Sequence, residues 1–572
     1  MKLLLREYIS MMKESGELDV LVPDLLLAMG LRPLSKAQVG VRQHGVDASA
    51  VGTDSRDGEE KLFLVTIKPG DVTRSSWHGS PTAIKPSLDE ILNVYLTQKI
   101  SPDHVDLPKK IVLCCGGELK QDTEDNWKGY KTQHQEEGVA FELWDGNKLA
   151  LLIEEHFLDE YLFPDSNQSL MRKALSLLDQ STEEPSFFYK LVEEILFSDE
   201  VSQASKKQRL KALRLISLCL GVTVRWNVDV ENTRPAVLSA ERTVLRSWDF
   251  LRKHDMFEDK KALKAFGSIH STYLNALQLY VRRLKPLCLI EDGLSGFSGA
   301  AEPLEYPLRT FEALGVIATL GINHALLSLS PGMEDDLSIE HNELADVATR
   351  VLISAIRKNN AANTPLYDGH MIEIALGAFL MNIMGAQGAL RSWIVAIINQ
   401  VSLAYRLGKY FPVATDDYDD HIDLEIGKAG DKRELMNLST IFPLISNWFA
   451  LLGLEDDYQD FRAVINRDFR HTNLQLWFPE EQTESFLYQT NASQKTGNTF
   501  SSIELPETTE ELRQRMRQTV EEHDTMSSFS FVQHGFPALG LIASRHFRTP
   551  VIPGYWQRGV RLFSESGQDE NE

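Results

Sequence analysis

The chain has 572 residues, of which 43% are hydrophobic and 25% are charged, and this balance is typical of a soluble globular protein. Its length predicts roughly two to four domains with sizeable cores. The net charge of −23 at pH 7 argues against tight, sequence-independent nucleic-acid binding by this chain alone, since such binding depends on clustered Lys and Arg.

The first strong pattern is a predicted β-hairpin near the N-terminus. A β-prone run at 62–68 follows the segment 43–51 across a polar turn rich in Asp, Gly and Ser. If the turn closes symmetrically, Asp47 lies opposite Thr66, and Lys68 lies one diagonal step away, within about 8 Å. These three side chains then share the end of one face, and the opposite face is apolar and buried. The residues predicted on that buried face are Val46, Ala48, Ala50, Phe63, Val65 and Ile67.

The elements after the hairpin alternate between helix and strand up to about residue 165. Strands are recognised by short apolar runs that end in Gly or Asp-Gly, and helices by their longer polar-apolar spacing. The prediction is a helix at 87–99, a strand at 110–115, a helix at 123–136, a strand at 139–144 and a helix at 147–156.

An acid and a lysine at one strand end of a half-buried sheet suit metal-dependent phosphodiester cleavage. Asp47 can bind a hard divalent cation, and Lys68 can orient or activate water and offset charge on the phosphate. The hairpin therefore predicts a candidate phosphodiesterase site from residue type and position alone.

The triplets 45–47 (Gly-Val-Asp) and 66–68 (Thr-Ile-Lys), in this order of elements, resemble the PD-(D/E)xK, or restriction-endonuclease-like, nuclease superfamily. The Mrr-like branch is most similar, since there a Gly-x-Asp strand precedes a strand that ends in Glu-x-Lys or Gln-x-Lys. The segment 139–150, a strand, an Asp-Gly turn and Lys-Leu-Ala, is similar to the end of Mrr-like domains. The resemblance covers residues 1–165.

The resemblance implies a magnesium-dependent nuclease, with manganese as a second cation, that acts on nucleic acid through residues 1–165, and DNA is the expected substrate. Asp47, Lys68 and Thr66 are the implied catalytic residues. Thr66 departs from the family pattern, because it stands where the family has Glu or Gln, and a hydroxyl brings no charge to hold the cation. Glu90 on the next helix is therefore the predicted metal ligand beside Asp47. Other candidates for this recruited carboxylate are Asp71, Glu7 and Glu14.

Beyond residue 165 the helical spacing of apolar residues replaces strand-like alternation. Polar breaks at 165–167 and 182–185 separate a predicted α/β domain, 1–165, from a large all-α region, 183–572, in which two subdomains would divide near 412–432. The predicted fold class is thus a restriction-endonuclease-like α/β domain, a mixed sheet flanked by helices, followed by an all-α region.

Three apolar stretches of the helical region have to be weighed as membrane spans. Each is interrupted by polar residues, so buried helices of a soluble domain are favoured and no stable membrane association is expected. Glycines in the second stretch, Gly377, Gly385 and Gly388, are predicted at close helix crossings. The three stretches are 314–329, 372–390 and 438–454.

The cysteines and Glu7 bear on cellular location, and a segment near the C-terminus bears on binding. The four cysteines lack metal-site spacing and predict core thiols of a cytoplasmic protein, and Glu7 interrupts any apolar run that a signal peptide would need. The basic, aromatic segment 544–556 could stack nucleic-acid bases or pack against the helical core, and both alternatives stay open.

The favoured function is a metal-dependent nucleic-acid phosphodiesterase. By analogy with fusions of similar shape, it is expected to be a component of a bacterial anti-phage defence system. One alternative is a catalytically inactive nuclease-like domain that binds nucleic acid or a partner protein, with the helical region as scaffold or sensor. A second alternative is a membrane-active effector. Because residues 1–165 hold 18 basic and 28 acidic side chains, a protein partner or a homo-oligomer is expected.

Overall fold

The computed structural model shows a five-stranded mixed sheet in the N-terminal region and helices over most of the remaining chain. The chain divides into two compact units: unit 1 is Met1–Ser239 with Lys261–Thr272, and unit 2 is Ala240–Lys260 with Tyr273–Glu572. The structure describes residues 2–12, 14, 18–35, 44–80, 83–134, 138–156, 165–177, 184–229, 232–297, 304–330, 332–409, 412–428, 432–489, 497–523 and 525–558.

The sheet of unit 1 has the strand order β1-β2-β3-β4-β5. The first three strands pair antiparallel, and β3, β4 and β5 pair parallel, so the predicted mixed sheet is confirmed. The parallel strands are joined by helices, as a parallel crossover requires. The strands are β1 Arg32–Ser35, β2 Ala48–Thr53, β3 Glu60–Lys68, β4 Lys109–Cys115 and β5 Val139–Trp144.

The register of the β2–β3 hairpin agrees with the symmetric turn inferred from the sequence. Ala48 pairs with Val65, so the same register places Asp47 opposite Thr66. The residues predicted on the buried face are at most 3% exposed. One detail differs: Val46 precedes the strand and packs in the cluster on the opposite face, because the chain has not yet reached extended conformation there.

That opposite face is also covered by helices, and its core joins strand residues to aromatic residues of the helices between the strands. Leu62 and Leu64 of β3 pack with Ile111 and Leu113 of β4 in a cluster that includes Trp77 and other buried side chains. Burying one such aliphatic side chain contributes about 1.5–3 kcal/mol. Because both faces are covered, β3 and β4 are almost continuously apolar, as is usual for central parallel strands.

A network of ion pairs lies at the end of the sheet where β3 and β4 begin. Its acidic and basic side chains pair with one another. Asp54 accepts hydrogen bonds from Lys61 at 3.3 Å and from Lys110 at 2.7 Å, and Lys110 lies 2.6 Å from Glu142, which also pairs with Arg56. Buried charges that are paired and hydrogen-bonded in this way hold strands together and leave no free group for chemistry.

The helices of unit 1 extend well past the sheet, and α12 and α13 contribute residues to both units. Unit 1 continues to Ser239 and also includes Lys261–Thr272. The limits that the sequence predicted, an α/β domain at 1–165 and a helical region at 183–572, stay predictions. The helices are α1 Lys2–Ser10, α2 Asp19–Ala28, α3 Arg74–His78, α4 Ile84–Glu90, α5 Leu96–Gln98, α6 Gln121–Gln133, α7 Gly146–His156, α8 Asp165–Leu177, α9 Ser186–Phe197, α10 Asp199–Ser202, α11 Lys206–Asp229, α12 Thr233–Lys253 and α13 Lys260–Cys288.

Unit 2 is predominantly helical, with two short strand pairs, β6–β7 and β8–β9. Its strands are β6 Leu438–Ser439, β7 Asn473–Leu474, β8 Leu476–Pro479 and β9 Gly497–Phe500. Its further helices are α14 Gly293–Phe297, α15 Glu305–Ser328, α16 Asp335–Lys358, α17 Met371–Ile383, α18 Gln387–Arg406, α19 Tyr418–Glu425, α20 Lys432–Leu435, α21 Ile441–Leu451, α22 Glu455–Asp468, α23 Glu484–Leu487, α24 Thr509–His523, α25 Ser530–Gln533, α26 Ala538–Phe547 and α27 Gly554–Gln557.

The apolar stretches of unit 2 form buried helices. Of the described helices, α15 alone is long and apolar enough to cross a membrane, and 83% of its apolar window is buried inside the protein. The stretch 372–390 is divided between α17 and α18, and every residue of α21 is buried.

The three glycines of the second stretch do not behave alike. A Cβ on Gly377 would lie 2.8 Å from the Trp393 ring, so the predicted close crossing is confirmed there. It is wrong for Gly385 and Gly388, where a Cβ would meet nothing within 4 Å. Gly385 instead takes the left-handed conformation that ends α17, with φ of 72°.

The basic segment near the C-terminus packs inside unit 2. Arg545 donates to Glu241 at 2.9 Å, His546 lies 3.2 Å from the same carboxylate, and Arg548 pairs with Glu373. Arg545 is only 6% exposed. A buried guanidinium needs such a partner, so packing against the core, and not a free base-stacking segment, is the alternative that holds.

Candidate functional site

Gly45 sets the approach of the chain to the start of β2. His44 and Gly45 both have positive φ, 50° and 80°, and a Cβ on Gly45 would overlap the Ser87 carbonyl oxygen of α4. Only glycine combines this backbone conformation with so close an approach. The turn thus delivers Asp47 to the strand end against the helix that covers the sheet.

Asp47 is anchored by β3 through one of its two carboxylate oxygens. Its Oδ2 accepts a hydrogen bond from the Ile67 backbone N–H at 2.7 Å and another from the Thr66 hydroxyl at 3.4 Å. Among the described residues no donor is found for Oδ1. One oxygen is therefore held in place, and the other can bind a ligand.

Burial raises the pKa of Asp47, because a desolvated carboxylate is less stable when charged. The Ile67 hydrogen bond, the positive charge of Lys68 and the Thr66 hydroxyl act in the opposite direction, and the charge of Asp19 raises the pKa further. A cation at this carboxylate would relieve the cost of keeping it ionised.

Thr66 lies two residues before the C-terminal end of β3 and is fully buried. Its hydroxyl donates a hydrogen bond to Asp47 at 3.4 Å. The structure brings Thr66 to the predicted site, where its observed contact is one that orients Asp47.

Lys68 is the last residue of β3, in register with Cys115 at the end of β4, and it is partly buried. Its positive charge lowers the pKa of Asp47 and also that of Glu14. The structure thus places the lysine and the acid of the predicted pair within electrostatic reach of one another at the predicted strand end.

Two further carboxylates, Glu14 and Asp19, belong to the same electrostatic cluster. Burial raises the pKa of Glu14, Lys68 lowers it, and the charges of Asp47 and Asp19 raise it. Asp19 is the first residue of α2, and its Oδ1 is buried with no hydrogen-bond partner in the described part of the chain. Glu14 was one of several candidates in the sequence, whereas Asp19 was not recognised, since an acid in a first helical turn usually interacts with the helix dipole.

The other candidate acids fare differently. Glu90 ends α4 and is partly buried, but it is not among the largest influences on the pKa of Asp47 or Glu14. Asp71 accepts a hydrogen bond from the Glu118 N–H at 2.8 Å and pairs with Lys120 at 2.9 Å, so it anchors the segment between β4 and α6. The side chain of Glu7 lies outside the described residues.

The donor set is suited to a hard divalent cation. Carboxylate oxygens are the ligands that Mg²⁺ and Mn²⁺ prefer, and Asp47 and Asp19 each offer an oxygen without a donor from the described residues. Among the described residues, no three His, Cys, Asp or Glu side chains lie together as a ready-made metal site. The fit is therefore to a cation that keeps several water ligands, as Mg²⁺ does.

The cysteines take no part in this set. All four are buried and without a disulfide, as predicted. Burial raises the pKa of the Cys114 thiol, and the neighbouring Cys115 and Asp47 raise it further, so this thiol stays protonated and unreactive.

Comparisons with protein-family models, with curated proteins and with solved structures found no match to this chain, and the candidate site therefore rests on its own geometry and chemistry.

Proposed function

We propose that unit 1 carries a metal-dependent nuclease-like site that cleaves phosphodiester bonds in nucleic acid. One observation supports it above the others: Asp47, held by the Ile67 N–H and the Thr66 hydroxyl, lies at the strand end that Lys68 closes, and Glu14 and Asp19 interact electrostatically with Asp47. A recruited carboxylate is what the site needs, because Thr66 occupies the position where the PD-(D/E)xK superfamily has an acid.

In this proposal Asp47 and the recruited Glu14 hold the divalent cation, with Asp19 nearby, and the cation when bound supplies positive charge at the phosphate. Thr66 and the Ile67 N–H hold Asp47 in place through Oδ2. The Lys68 ammonium orients the attacking water and offsets negative charge on the phosphate. Glu14 takes the part that the sequence assigned to Glu90, because its pKa responds to both Lys68 and Asp47.

Cleavage of plasmid and single-stranded substrates across Mg²⁺ and Mn²⁺ titrations tests the proposal. Asp47→Asn, Lys68→Met and Glu14→Gln should abolish cleavage or lower it by at least about 100-fold, as loss of a group that acts on the transition state does. Glu90→Gln is the matched comparison, since it removes an acid on the neighbouring helix and should leave cleavage near the parent level.

Two results would overturn parts of this proposal: the first rejects the nuclease site itself, and the second rejects only Glu14 as the recruited acid. The first is cleavage by Asp47→Asn at the parent rate. The second is a loss of cleavage in Glu90→Gln that equals the loss in Glu14→Gln, which would restore Glu90 as the recruited acid. Circular dichroism of each variant separates lost chemistry from lost folding.

A catalytically inactive nuclease-like binding module is the second candidate, and Thr66 in place of an acid is the observation that favours it. In that case the parent cleaves nothing with either cation, with or without candidate partners, yet Asp47→Asn binds nucleic acid as tightly as the parent. DNA as the substrate, a role in bacterial anti-phage defence and a protein or self-association partner extend the proposal by analogy.

A further inference from the structure

Positive charge in this acidic chain is concentrated in three consecutive helices. Residues 206–288, which contain α11, α12 and α13, hold 17 basic and 7 acidic side chains, a net charge of +10, while the whole chain carries −23. Residues 1–165, with the candidate site, carry −10. The side chains that could attract a polyanion therefore lie outside the sheet-bearing part of the chain.

The helix α13 shows this concentration most clearly. It has 29 residues, so it is about 43 Å long, and it contains six Lys or Arg and no Asp or Glu. A surface helix usually mixes both signs, because Glu–Lys pairs three or four residues apart stabilise it. No such pair can form within α13, so its positive charges are not offset inside the helix.

The basic residues of α13 lie on its exposed side. Lys264, Ser268, Ser271, Asn275 and Arg282 are exposed and follow one another at steps of three, four or seven residues, which places them on one face. The apolar side of the helix is buried. The exposed basic residues of α13 are Lys260, Lys261, Lys264, Arg282, Arg283 and Lys285.

The two ends of this face differ in how far their charge is compensated. The charges of Lys261 and Lys264 lower the pKa of the buried Asp24. The negative charge of Asp24 therefore offsets part of the positive charge at this end. At the other end, no ion-pair partner is found for Arg282, Arg283 or Lys285 among the residues that the structure describes. The uncompensated positive charge is therefore greater at the C-terminal end of α13.

We propose that the exposed C-terminal end of α13, with Arg282, Arg283 and Lys285, binds the phosphate backbone of nucleic acid. Lys, Arg, Ser and Asn are among the side chains that commonly contact phosphates, and a group of them on one helix face can hold a backbone without reading bases. This inference rests on the proposed function, because α13 would bind the nucleic-acid substrate that the acidic region 1–165 is poorly suited to bind. An anionic membrane fits less well, since an interfacial helix inserts an apolar face, and that of α13 is buried in the protein.

The experiment measures binding of the full-length protein to labelled duplex DNA, single-stranded DNA and RNA by fluorescence anisotropy, in EDTA and over a series of salt concentrations. The test variant is Arg282→Gln/Arg283→Gln/Lys285→Gln. The control is Lys128→Gln/Arg350→Gln/Arg515→Gln, which removes the same charge from exposed side chains elsewhere.

The test variant should bind at least 10-fold more weakly at low salt. Its slope of log K against log salt should fall by about 0.9 for each duplex phosphate that the variant no longer neutralises, or about 0.7 for single strands. The control variant should keep both values. The three substrates show which polymer is preferred, and vesicles with anionic lipid provide the membrane comparison.

Four results would overturn the inference: no binding by the parent, parent-like binding by the test variant, an equal loss in the control, or vesicle binding without nucleic-acid binding. The EDTA condition separates this inference from the proposed function, since no cleavage is needed. If Asp47→Asn cleaves like the parent while the α13 variant loses binding, the proposed active site fails and the binding surface stands.

Discussion

Asp47 shows how a buried carboxylate can lower the stability of the folded protein. Burial raises its pKa, so the folded protein holds a charged carboxylate in surroundings that favour the neutral form. Because the folded-state pKa lies above the unfolded one, this contribution to stability is most favourable at low pH. It is lost as pH rises through the folded-state pKa.

Asp47→Asn should therefore stabilise the protein at neutral pH while it removes activity. The amide oxygen can still accept from the Ile67 N–H and the Thr66 hydroxyl, and the gain should be on the order of 1 kcal/mol. Denaturant unfolding at several pH values measures it, and the gain should shrink as pH falls because the parent carboxyl then takes up a proton. A gain that stays constant with pH would contradict this account.

Asp24 is a second buried acid, and its pKa is raised to about 6 by burial although Arg214 lies 2.7 Å away. Because the ordinary value is 3.8, the folded state binds more protons than the unfolded state between those two pH values. The stability contributed by Asp24 is thus complete below about 3.8 and is lost as pH rises through about 6.

Arg214→Gln should destabilise the protein by about 2 kcal/mol at pH 7.5, which is less than the cost of breaking a fully buried pair. At pH 5 the loss should be smaller, since Asp24 is then mostly protonated and needs no partner. Urea unfolding at both pH values measures the difference. The prediction fails if the loss at pH 5 equals or exceeds that at pH 7.5.

At the scale of elements, the hairpin and α4 depend on their close approach at Gly45. Gly45→Ala introduces strain at a positive φ and a clash with the Ser87 carbonyl, and it should cost about 2–4 kcal/mol and weaken metal binding. Gly58→Ala is the control, because Gly58 has φ of 77° but nothing within 4 Å of its Cβ position. It should cost about 1 kcal/mol, the strain alone. Equal costs in the two variants would show that the approach to α4 is unimportant.

The helix crossing at Gly377 is the corresponding feature of unit 2. Gly377→Ala pushes against the Trp393 ring and should cost about 1–3 kcal/mol, as overpacking a core does. Gly388→Ala, whose added methyl meets nothing, should be neutral or slightly stabilising, because alanine favours helix. Thermal unfolding of both variants measures the contrast, and similar midpoints would rule out a close crossing at Gly377.

Elements with a strict local period were predicted well from sequence. The hairpin register followed from alternation, because a slip by one residue would turn the apolar residues of β2 and β3 to the wrong face. Gly385 and Gly388 were misjudged, since spacing by itself does not distinguish a glycine at a helix crossing from one that ends a helix. Only the neighbour across the crossing, Trp393 at Gly377, decides that.

At the scale of the whole molecule, metal should stabilise the protein if the candidate site binds it. One-site binding adds about 2.7 kcal/mol when the free cation is at about 100 times its Kd. Millimolar Mn²⁺ should raise the thermal midpoint of the parent more than Mg²⁺ does, because it accepts poorer ligand sets. The increase should be absent in Asp47→Asn and retained in Glu90→Gln. An equal increase in the parent and Asp47→Asn would locate the bound metal elsewhere.

The sequence by itself determined the mixed sheet, the change to helices after it and the meeting of Asp47, Thr66 and Lys68 at one strand end. These features depend on periods of two or about 3.6 residues and on turns within a short segment, so they can be read locally. Only the tertiary structure decided that Glu14 and Asp19 interact electrostatically with Asp47 and that most of the segment 544–556 is buried. Such arrangements join residues far apart in the chain, and they arise from packing that no local pattern records.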